Sequence, residues 1–94
     1  MARLSEDAIQ TALGQMPGWS VVDGMLRKTY QFSTFPDGIA FVNRVADLAE
    51  EMGHHPDIDI RYSTIIVSLS SHDEGGITER DTTLARRIDG LLAR

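Results

Sequence analysis

A chain of 94 residues forms a single domain, because it is too short to bury two independent hydrophobic cores. Its 14 acidic and 9 basic side chains leave a net charge of −5, which argues against unspecific binding to nucleic acid. The absence of cysteine excludes disulfides and thiolate nucleophiles, and no apolar run reaches the roughly 20 residues of a membrane span.

The first predicted element is a short helix that begins after Ser5, a typical N-cap residue. Its apolar residues recur with helical spacing and predict one buried stripe. Pro17-Gly18 ends this helix. The stripe consists of Ile9, Ala12, Leu13 and Met16.

Residues 19–32 are predicted to form a β-hairpin. Asp23-Gly24 is a strong two-residue turn signal, since Gly accepts a positive φ and Asp tolerates one. This turn pairs Val21 with Leu26. The face predicted to enter the core carries Trp19, Val21, Leu26, Tyr30 and Phe32.

Residues 34–52 are predicted to form the longest helix, capped by Thr34 at its start and ended by Gly53. Its apolar side chains form two adjoining stripes, although one sheet covers only one stripe. The second stripe therefore predicts contact with another helix or another subunit.

A second hairpin is predicted over residues 58–72, turning at Ser63-Thr64. This register places His55 opposite His72 on the polar face of the hairpin. Gly75-Gly76 then forms a loop, and Thr78 caps a last helix. The order helix, hairpin, helix, hairpin, helix predicts an α+β domain whose antiparallel hairpins are covered on one face by helices.

All three histidines of the chain, His54, His55 and His72, lie within residues 54–72. Imidazole exchanges protons near neutral pH because its unperturbed pKa is about 6.5. Glu50 lies one helical turn before His54 and could hold that ring in one tautomer. The cluster therefore predicts a site for acid–base chemistry.

Other interpretations of these residues stay open. A histidine after a helix can simply be a cation near the negative helix end. Three histidines and a carboxylate are also zinc ligands, although adjacent residues rarely face one ion. Asp81 stands three residues after Thr78, so a capping role is at least as probable as a catalytic one. Gly75-Gly76 could present N–H groups to a ligand, but more often two glycines form a turn.

Taken together, these residues resemble the pterin-4a-carbinolamine dehydratase family. The matching region spans residues 50–81, about a third of the chain, and the predicted order of elements also fits this family. The motif combines Glu50-x3-His54-His55-Pro56 with Tyr62, His72 and Thr78-Glu-Arg-Asp81 after the Gly-Gly loop.

The resemblance implies a four-stranded antiparallel sheet with three helices packed on one face, assembled into homodimers or homotetramers. It also implies loss of water from a 4a-hydroxytetrahydropterin, a step in tetrahydrobiopterin recycling that needs no metal and no other cofactor. His54, His55 and His72 match the catalytic histidines of the family, and Glu50 and Asp81 match its supporting acids. The residues that match its substrate contacts are Pro56, Ser71, Asp73 and Glu74.

There are two departures from the family pattern. Ile58 stands where the family often has an aromatic residue, so stacking on the pterin from this position is in doubt. Asp73 stands where Glu is common.

Two further roles are open for the same fold. Some members of the family are dimerisation partners of a transcription factor, and others are linked to molybdopterin-related metabolism. We expect a pterin substrate, no direct nucleic-acid partner and no membrane association. A cytoplasmic location is expected because the chain start lacks a secretory signal.

Overall fold

Three α-helices and one antiparallel sheet of four strands build the domain, and the predicted α+β class is confirmed. A computed structural model describes residues 2–92. The elements in chain order are α1 (Glu6–Leu13), β1 (Ser20–Val22), β2 (Met25–Gln31), α2 (Phe35–Met52), β3 (Asp57–Arg61), β4 (Thr64–Leu69), a 3₁₀ turn (His72–Glu74) and α3 (Glu79–Gly90).

Each predicted helix start is confirmed by a side-chain cap. The hydroxyl groups of Ser5, Thr34 and Thr78 each accept a hydrogen bond from a backbone N–H in the first turn of their helix. These bonds satisfy donors that have no partner within the helix. At the end of α2, Gly53 adopts the left-handed conformation with φ 62°, as glycine does without a steric penalty.

The register of the first hairpin is confirmed. Val22 pairs with Met25 and Val21 with Leu26, around a turn in which Asp23 and Gly24 have φ values of 52° and 76°. Two successive positive φ values match the right-handed twist of the flanking strands, which is why Asp-Gly is favoured there.

The predicted register of the second hairpin is wrong by two residues. Ile60 pairs with Ile65, and the turn consists of Tyr62 and Ser63 rather than Ser63-Thr64. Tyr62 has a φ of 54°, which is unusual for a bulky side chain and leaves no signal in the sequence. A shift of two residues keeps the same side chains on the core face, so the fold is unaffected.

The strand order β1-β2-β4-β3 places β2 and β4 in the centre of the sheet. Helix side chains pack against one face of this sheet and form a single apolar core. Within residues 2–92, no helix has the length and apolar composition needed to cross a membrane. The buried core consists of Met16, Trp19, Leu26, Tyr30, Phe41, Val45, Ile65, Val67, Leu69, Ile77, Leu84, Ala85 and Ile88.

One polar cluster beside the core has no sequence signal. Asp89, near the end of α3, accepts hydrogen bonds from Trp19 Nε1 (2.9 Å) and from the Tyr30 hydroxyl (2.6 Å). Lys28 Nζ lies 2.9 Å from the same carboxylate and forms an ion pair with it. The cluster anchors the end of α3 to the first hairpin across a long sequence separation.

Tyr30 makes this anchor sensitive to high pH. Burial, together with the hydrogen bond to Asp89, raises the pKa of the Tyr30 phenol well above its usual value of 10.0. A tyrosine in the unfolded chain ionises near pH 10, whereas Tyr30 in the folded protein stays neutral. The contribution of Tyr30 to the free energy of unfolding is therefore complete below pH 10 and declines as the pH rises above it.

We expect Tyr30→Phe to lower the free energy of unfolding by about 1 kcal/mol at pH 7, because one buried hydrogen bond is lost. Above pH 10 the gap between the variant and the wild type should narrow, since phenylalanine has no proton to lose. Urea unfolding at pH 7 and pH 10.5 measures both quantities. A gap that is the same at both pH values would contradict this account.

Candidate active site

The carboxylate of Asp81 is the centre of a buried hydrogen-bond network. None of this residue is exposed, and its Oδ1 lies 2.5 Å from Nε2 of His54. Its Oδ2 accepts hydrogen bonds from the Ser71 hydroxyl and from the backbone N–H of Thr78, both at 2.9 Å. Three donors therefore converge on one buried carboxylate, which is a rigid and fully satisfied arrangement.

The capping box of α3 explains why Asp81 points inward. Thr78 accepts from the backbone N–H of Arg80 (3.2 Å), and Asp81 accepts from the backbone of Thr78. One carboxylate oxygen caps the helix while the other binds His54. The structural and the site interpretations of Asp81 both hold, because its two oxygens serve different partners.

His54 reaches this network because of the turn that ends α2. The left-handed Gly53 reverses the chain, and the His54 N–H then donates to the carbonyl of Ala49 (3.0 Å). The His54 residue is only 8% exposed. Asp81 occupies Nε2, and no described residue forms a hydrogen bond with Nδ1, so Nδ1 is the ring nitrogen left for a ligand.

Ser71 joins the network from the end of β4. Its backbone pairs with Gly76, with N to O distances of 2.8 and 3.3 Å, and this pairing closes the loop that contains the 3₁₀ turn. Its hydroxyl also lies 2.8 Å from the Thr78 hydroxyl. The loop of His72 is therefore attached directly to the carboxylate that holds His54.

Glu50 binds His55, which corrects the predicted pairing of Glu50 with His54. A hydrogen bond joins the Glu50 carboxylate to Nε2 of His55, and both side chains are largely exposed. The chain reversal at Gly53 explains the exchange, since it turns His54 towards α3 and leaves His55 beside the last turn of α2. The two adjacent histidines thus have separate carboxylate partners.

His72 is exposed and begins the 3₁₀ turn. The predicted pairing of His55 with His72 across the hairpin is wrong, because β3 starts at Asp57, which pairs with Ser68. The structure connects the histidines by another route. Ser71 precedes His72 and donates to Asp81, which in turn binds His54.

Asp73 forms an ion pair with Arg80 that no pattern in the sequence predicts. Nη2 of Arg80 lies 2.8 and 3.0 Å from its two carboxylate oxygens. Desolvation alone raises the pKa of the Asp73 carboxyl, but the hydrogen bonds and the charge of Arg80 outweigh it and hold the pKa below its usual value. Asp73 is therefore an anion at neutral pH.

The remaining family-matched residues lie at different distances from the histidines. Pro56 follows His55 directly, and Glu74 ends the 3₁₀ turn; both are half-buried. Ile58 lies on the core face of β3 and packs against the core. Tyr62 lies at the other end of β3, about 20 Å along the strand from Pro56, so the structure does not bring it to the histidines.

A cavity of about 800 Å³ borders the Gly75-Gly76 loop, and none of the three histidines lines it. Its other walls come from the start of α1 and from Val21 and Gly24 of the first hairpin. Within residues 2–92, no three His, Asp or Glu side chains are grouped as metal ligands.

Proteins similar to this chain are known from several bacteria. A relative provisionally named pterin-4-alpha-carbinolamine dehydratase, from Herpetosiphon aurantiacus, is 56% identical over 93 residues and covers 99% of this chain and 97% of its own length. A relative with the same provisional name, from Mycobacterium sp. strain JLS, is 50% identical over the full length of both chains.

Solved structures show the same fold. A transcriptional coactivator/pterin dehydratase from Brucella melitensis superposes with a TM-score of 0.92 at 31% identity, covering 97% of this chain and 99% of its own. A pterin dehydratase-like protein, described as a RuBisCO assembly factor in the alpha-carboxysome, gives a TM-score of 0.63 at 28% identity, covering 78% and 84%. The family model for pterin 4 alpha carbinolamine dehydratase matches residues 2–91. The chain belongs to the pterin-4a-carbinolamine dehydratase family.

Proposed function

We propose that this protein removes water from a 4a-hydroxytetrahydropterin to give the quinonoid dihydropterin. The observation that carries the proposal is the buried network in which Asp81 joins His54 to Ser71, directly beside His72. Membership of the family supports the substrate class. Recycling of a tetrahydrobiopterin-type cofactor, in the cytoplasm, is part of the same proposal.

The reaction needs one proton donor and one proton acceptor. The C4a–O bond breaks, and the hydroxyl group leaves as water once it has received a proton. The N5–H bond gives up its proton, and the electron pair left behind forms the C4a=N5 double bond. Positioned side chains that transfer these protons accelerate such steps by roughly 10²- to 10⁴-fold.

His54 is the better candidate for the base that takes the N5 proton. Its Nε2 is bound to a carboxylate that has no exposed surface, so the positive charge formed on the ring is stabilised by Asp81. The same contact fixes the ring orientation, which leaves Nδ1 as the accepting atom. A buried ring with a fixed partner loses little entropy when the substrate binds.

His72 is the better candidate for the acid that protonates the departing hydroxyl group. It lies on an exposed turn, where it can recover a proton from water after each cycle. His55 is also exposed, and we assign it the role of holding the pterin ring beside Pro56. Glu50 orients His55 through their hydrogen bond.

Stopped-flow measurement of carbinolamine loss, with and without the protein, tests the activity. The substrate is generated in the instrument, and its uncatalysed dehydration supplies the baseline. We expect the protein to accelerate the loss in proportion to its concentration. A rate equal to the baseline at every protein concentration would refute the proposal.

Glu50→Gln tests the role of the exposed Glu50–His55 pair without changing the buried network around Asp81. We expect turnover to fall by about tenfold, because His55 loses the carboxylate that orients it. The free energy of unfolding should change by less than about 0.5 kcal/mol, since exposed ion pairs contribute little to stability. Steady-state kinetics and urea unfolding measure the two effects, and unchanged turnover would remove Glu50 from the mechanism.

A second candidate function, binding of a protein partner, is favoured by an exposed apolar surface. Phe35 and Tyr62 are 44% and 74% exposed, and their rings are stacked. Ile60, two residues before Tyr62 in the chain, is 42% exposed. The Brucella and carboxysome relatives are described as a coactivator and an assembly factor, respectively. We propose that this surface supports self-association into dimers or tetramers.

Sedimentation velocity and the dehydration assay distinguish the two functions when both are applied to the Tyr62→Ser variant. If the protein is an enzyme that uses this surface only for self-association, Tyr62→Ser should sediment as a smaller assembly and keep measurable turnover. A partner-binding protein should show no turnover even as the wild type. A Tyr62→Ser variant with an unchanged sedimentation coefficient would exclude this surface from self-association.

A further inference from the structure

We propose that Arg80 is a positioning residue, which holds the turn carrying His72 against the Asp81 network through its ion pair with Asp73. The inference rests on the proposed dehydratase function, because it concerns the placement of a proposed proton donor. It adds a residue whose side chain forms no hydrogen bond with Asp81, Ser71 or His54, although its backbone N–H donates to Thr78.

The geometry of the ion pair links two parts of the candidate site. One guanidinium nitrogen, Nη2, lies 2.8 and 3.0 Å from the two oxygens of Asp73. Asp73 directly follows His72 in the chain, and Arg80 directly precedes Asp81. The ion pair therefore links the residue next to His72 with the residue next to Asp81, the carboxylate that binds His54.

The inner part of the Arg80 side chain is fixed by the surrounding protein, and only its end extends to Asp73. Its Nε atom is buried and has no hydrogen-bond partner among the described residues, so the inner part of the side chain is covered by protein. Its side chain as a whole is 33% exposed, against 66% for Asp73. Its backbone N–H is fixed by the Thr78 cap. The anchored arginine is therefore placed to restrain the more exposed aspartate.

The turn that carries His72 has a firm base and a weak tip. Ser71 and Gly76 close the base of the loop with two backbone hydrogen bonds. The tip is a 3₁₀ segment of three residues, held by backbone hydrogen bonds from Glu74 to Ser71 (3.0 Å) and from Gly75 to His72 (3.1 Å). Bonds of this 3₁₀ type have poorer geometry than those of an α-helix. Gly75 follows with a φ of 74°, a left-handed conformation that glycine adopts without steric cost. The direction of His72 therefore depends on a contact made from the tip, and Asp73 supplies one.

Charge gives Arg80 a second effect on His72. The Asp73 carboxylate is ionised at neutral pH and is engaged by Arg80 at both oxygens. Without the arginine, this carboxylate would be free to attract the neighbouring imidazole and to hold it away from the substrate. The ion pair thus keeps His72 available as a proton donor.

Kinetics of Arg80→Gln provide the first test, with Arg44→Gln as the matched control. Arg44 is also a surface arginine that bonds to the α3 end, at the carbonyl of Leu91 (3.1 Å), but it lies ten residues before His54 on α2. We expect Arg80→Gln to lower kcat by about tenfold or more, while Arg44→Gln stays within twofold of the wild type. Arg80→Lys should recover part of the loss, because lysine keeps the charge but not the planar geometry.

A double-mutant cycle with His72→Ala separates positioning from a general loss of structure. If Arg80 acts through His72, adding Arg80→Gln to the His72→Ala variant should change kcat by less than twofold. A further tenfold loss in that background would overturn the proposal. So would wild-type kcat for Arg80→Gln alone.

Backbone ¹⁵N relaxation tests the same claim without any assay of activity. We expect the order parameters of residues 72–74 to fall in Arg80→Gln from about 0.85 towards 0.6, and to stay unchanged in Arg44→Gln. An equally rigid turn in Arg80→Gln would refute the positioning role. A wild type that fails to accelerate dehydration would refute the proposed function instead, and the relaxation data would still decide the role of Arg80.

Discussion

Asparagine at position 81 is expected to lower turnover by about 10²-fold or more and to destabilise the protein by about 1–3 kcal/mol. Asp81 accepts from three donors, whereas an asparagine amide offers one oxygen and one donor group. If the oxygen stays with Ser71 and Thr78, the amide N–H₂ faces Nε2 of His54. That nitrogen must then become an acceptor, and the ring proton moves to Nδ1. The proposed base would carry a proton where it should accept one.

Asp89→Asn is the matched control for this prediction. Asp89 lies on the same helix and also accepts from three groups, those of Trp19, Lys28 and Tyr30. We expect a comparable loss of stability in urea unfolding, with turnover within about threefold of the wild type. Equal turnover for Asp81→Asn and Asp89→Asn would show that Asp81 acts on the fold alone.

Alanine at either His54 or His72 is expected to reduce turnover by about 10²-fold or more, because each removes one of the two proposed proton carriers. The two variants should differ in stability. His54 is buried and binds Asp81, so its loss should lower the free energy of unfolding by about 1–3 kcal/mol. His72 is exposed, so its loss should change stability by less than about 0.5 kcal/mol.

Free imidazole in the assay distinguishes proton transfer from a structural role. We expect added imidazole to restore part of the activity of His72→Ala, since the position is open to solvent. The buried position of His54 should allow little such recovery. Wild-type turnover of both alanine variants in the stopped-flow assay would eliminate histidine acid–base catalysis.

Local signals in the sequence predicted the helices and the first hairpin well. Ser5, Thr34 and Thr78 are caps as expected, and Asp23-Gly24 makes the expected turn. Each of these features is decided by residues within one turn of one another, so the information lies in a short segment. The same is true of Gly53 at the end of α2.

Contacts between distant segments were harder to predict. Tyr62 adopts a left-handed conformation that tyrosine seldom takes. As a result, the observed register of the second hairpin differs from the predicted one by two residues. Glu50 has the helical spacing to reach His54, but the reversal at Gly53 gives it His55 instead. In both cases the backbone conformation of one residue overrides a regular pattern.

The sequence predicted the central residues of the candidate site but not the contacts between them. His54 and Asp81 were identified as site residues, but nothing in the spacing of 27 positions indicates that their side chains touch. The links from Asp81 to Ser71 and from Arg80 to Asp73 depend on how a loop packs on the first turn of α3. Such packing is a property of the folded chain, and single-sequence patterns do not encode it directly.

The most direct test of the central claim is an NMR titration that follows the three imidazole side chains while a stable 7,8-dihydropterin is added. If one flat ligand binds among His54, His55 and His72, the ring signals of all three should shift with a single dissociation constant, and the histidine variants should weaken binding. Shifts confined to residues around the cavity beside α1, such as Val21 and Gly24, would place the ligand elsewhere and contradict the account.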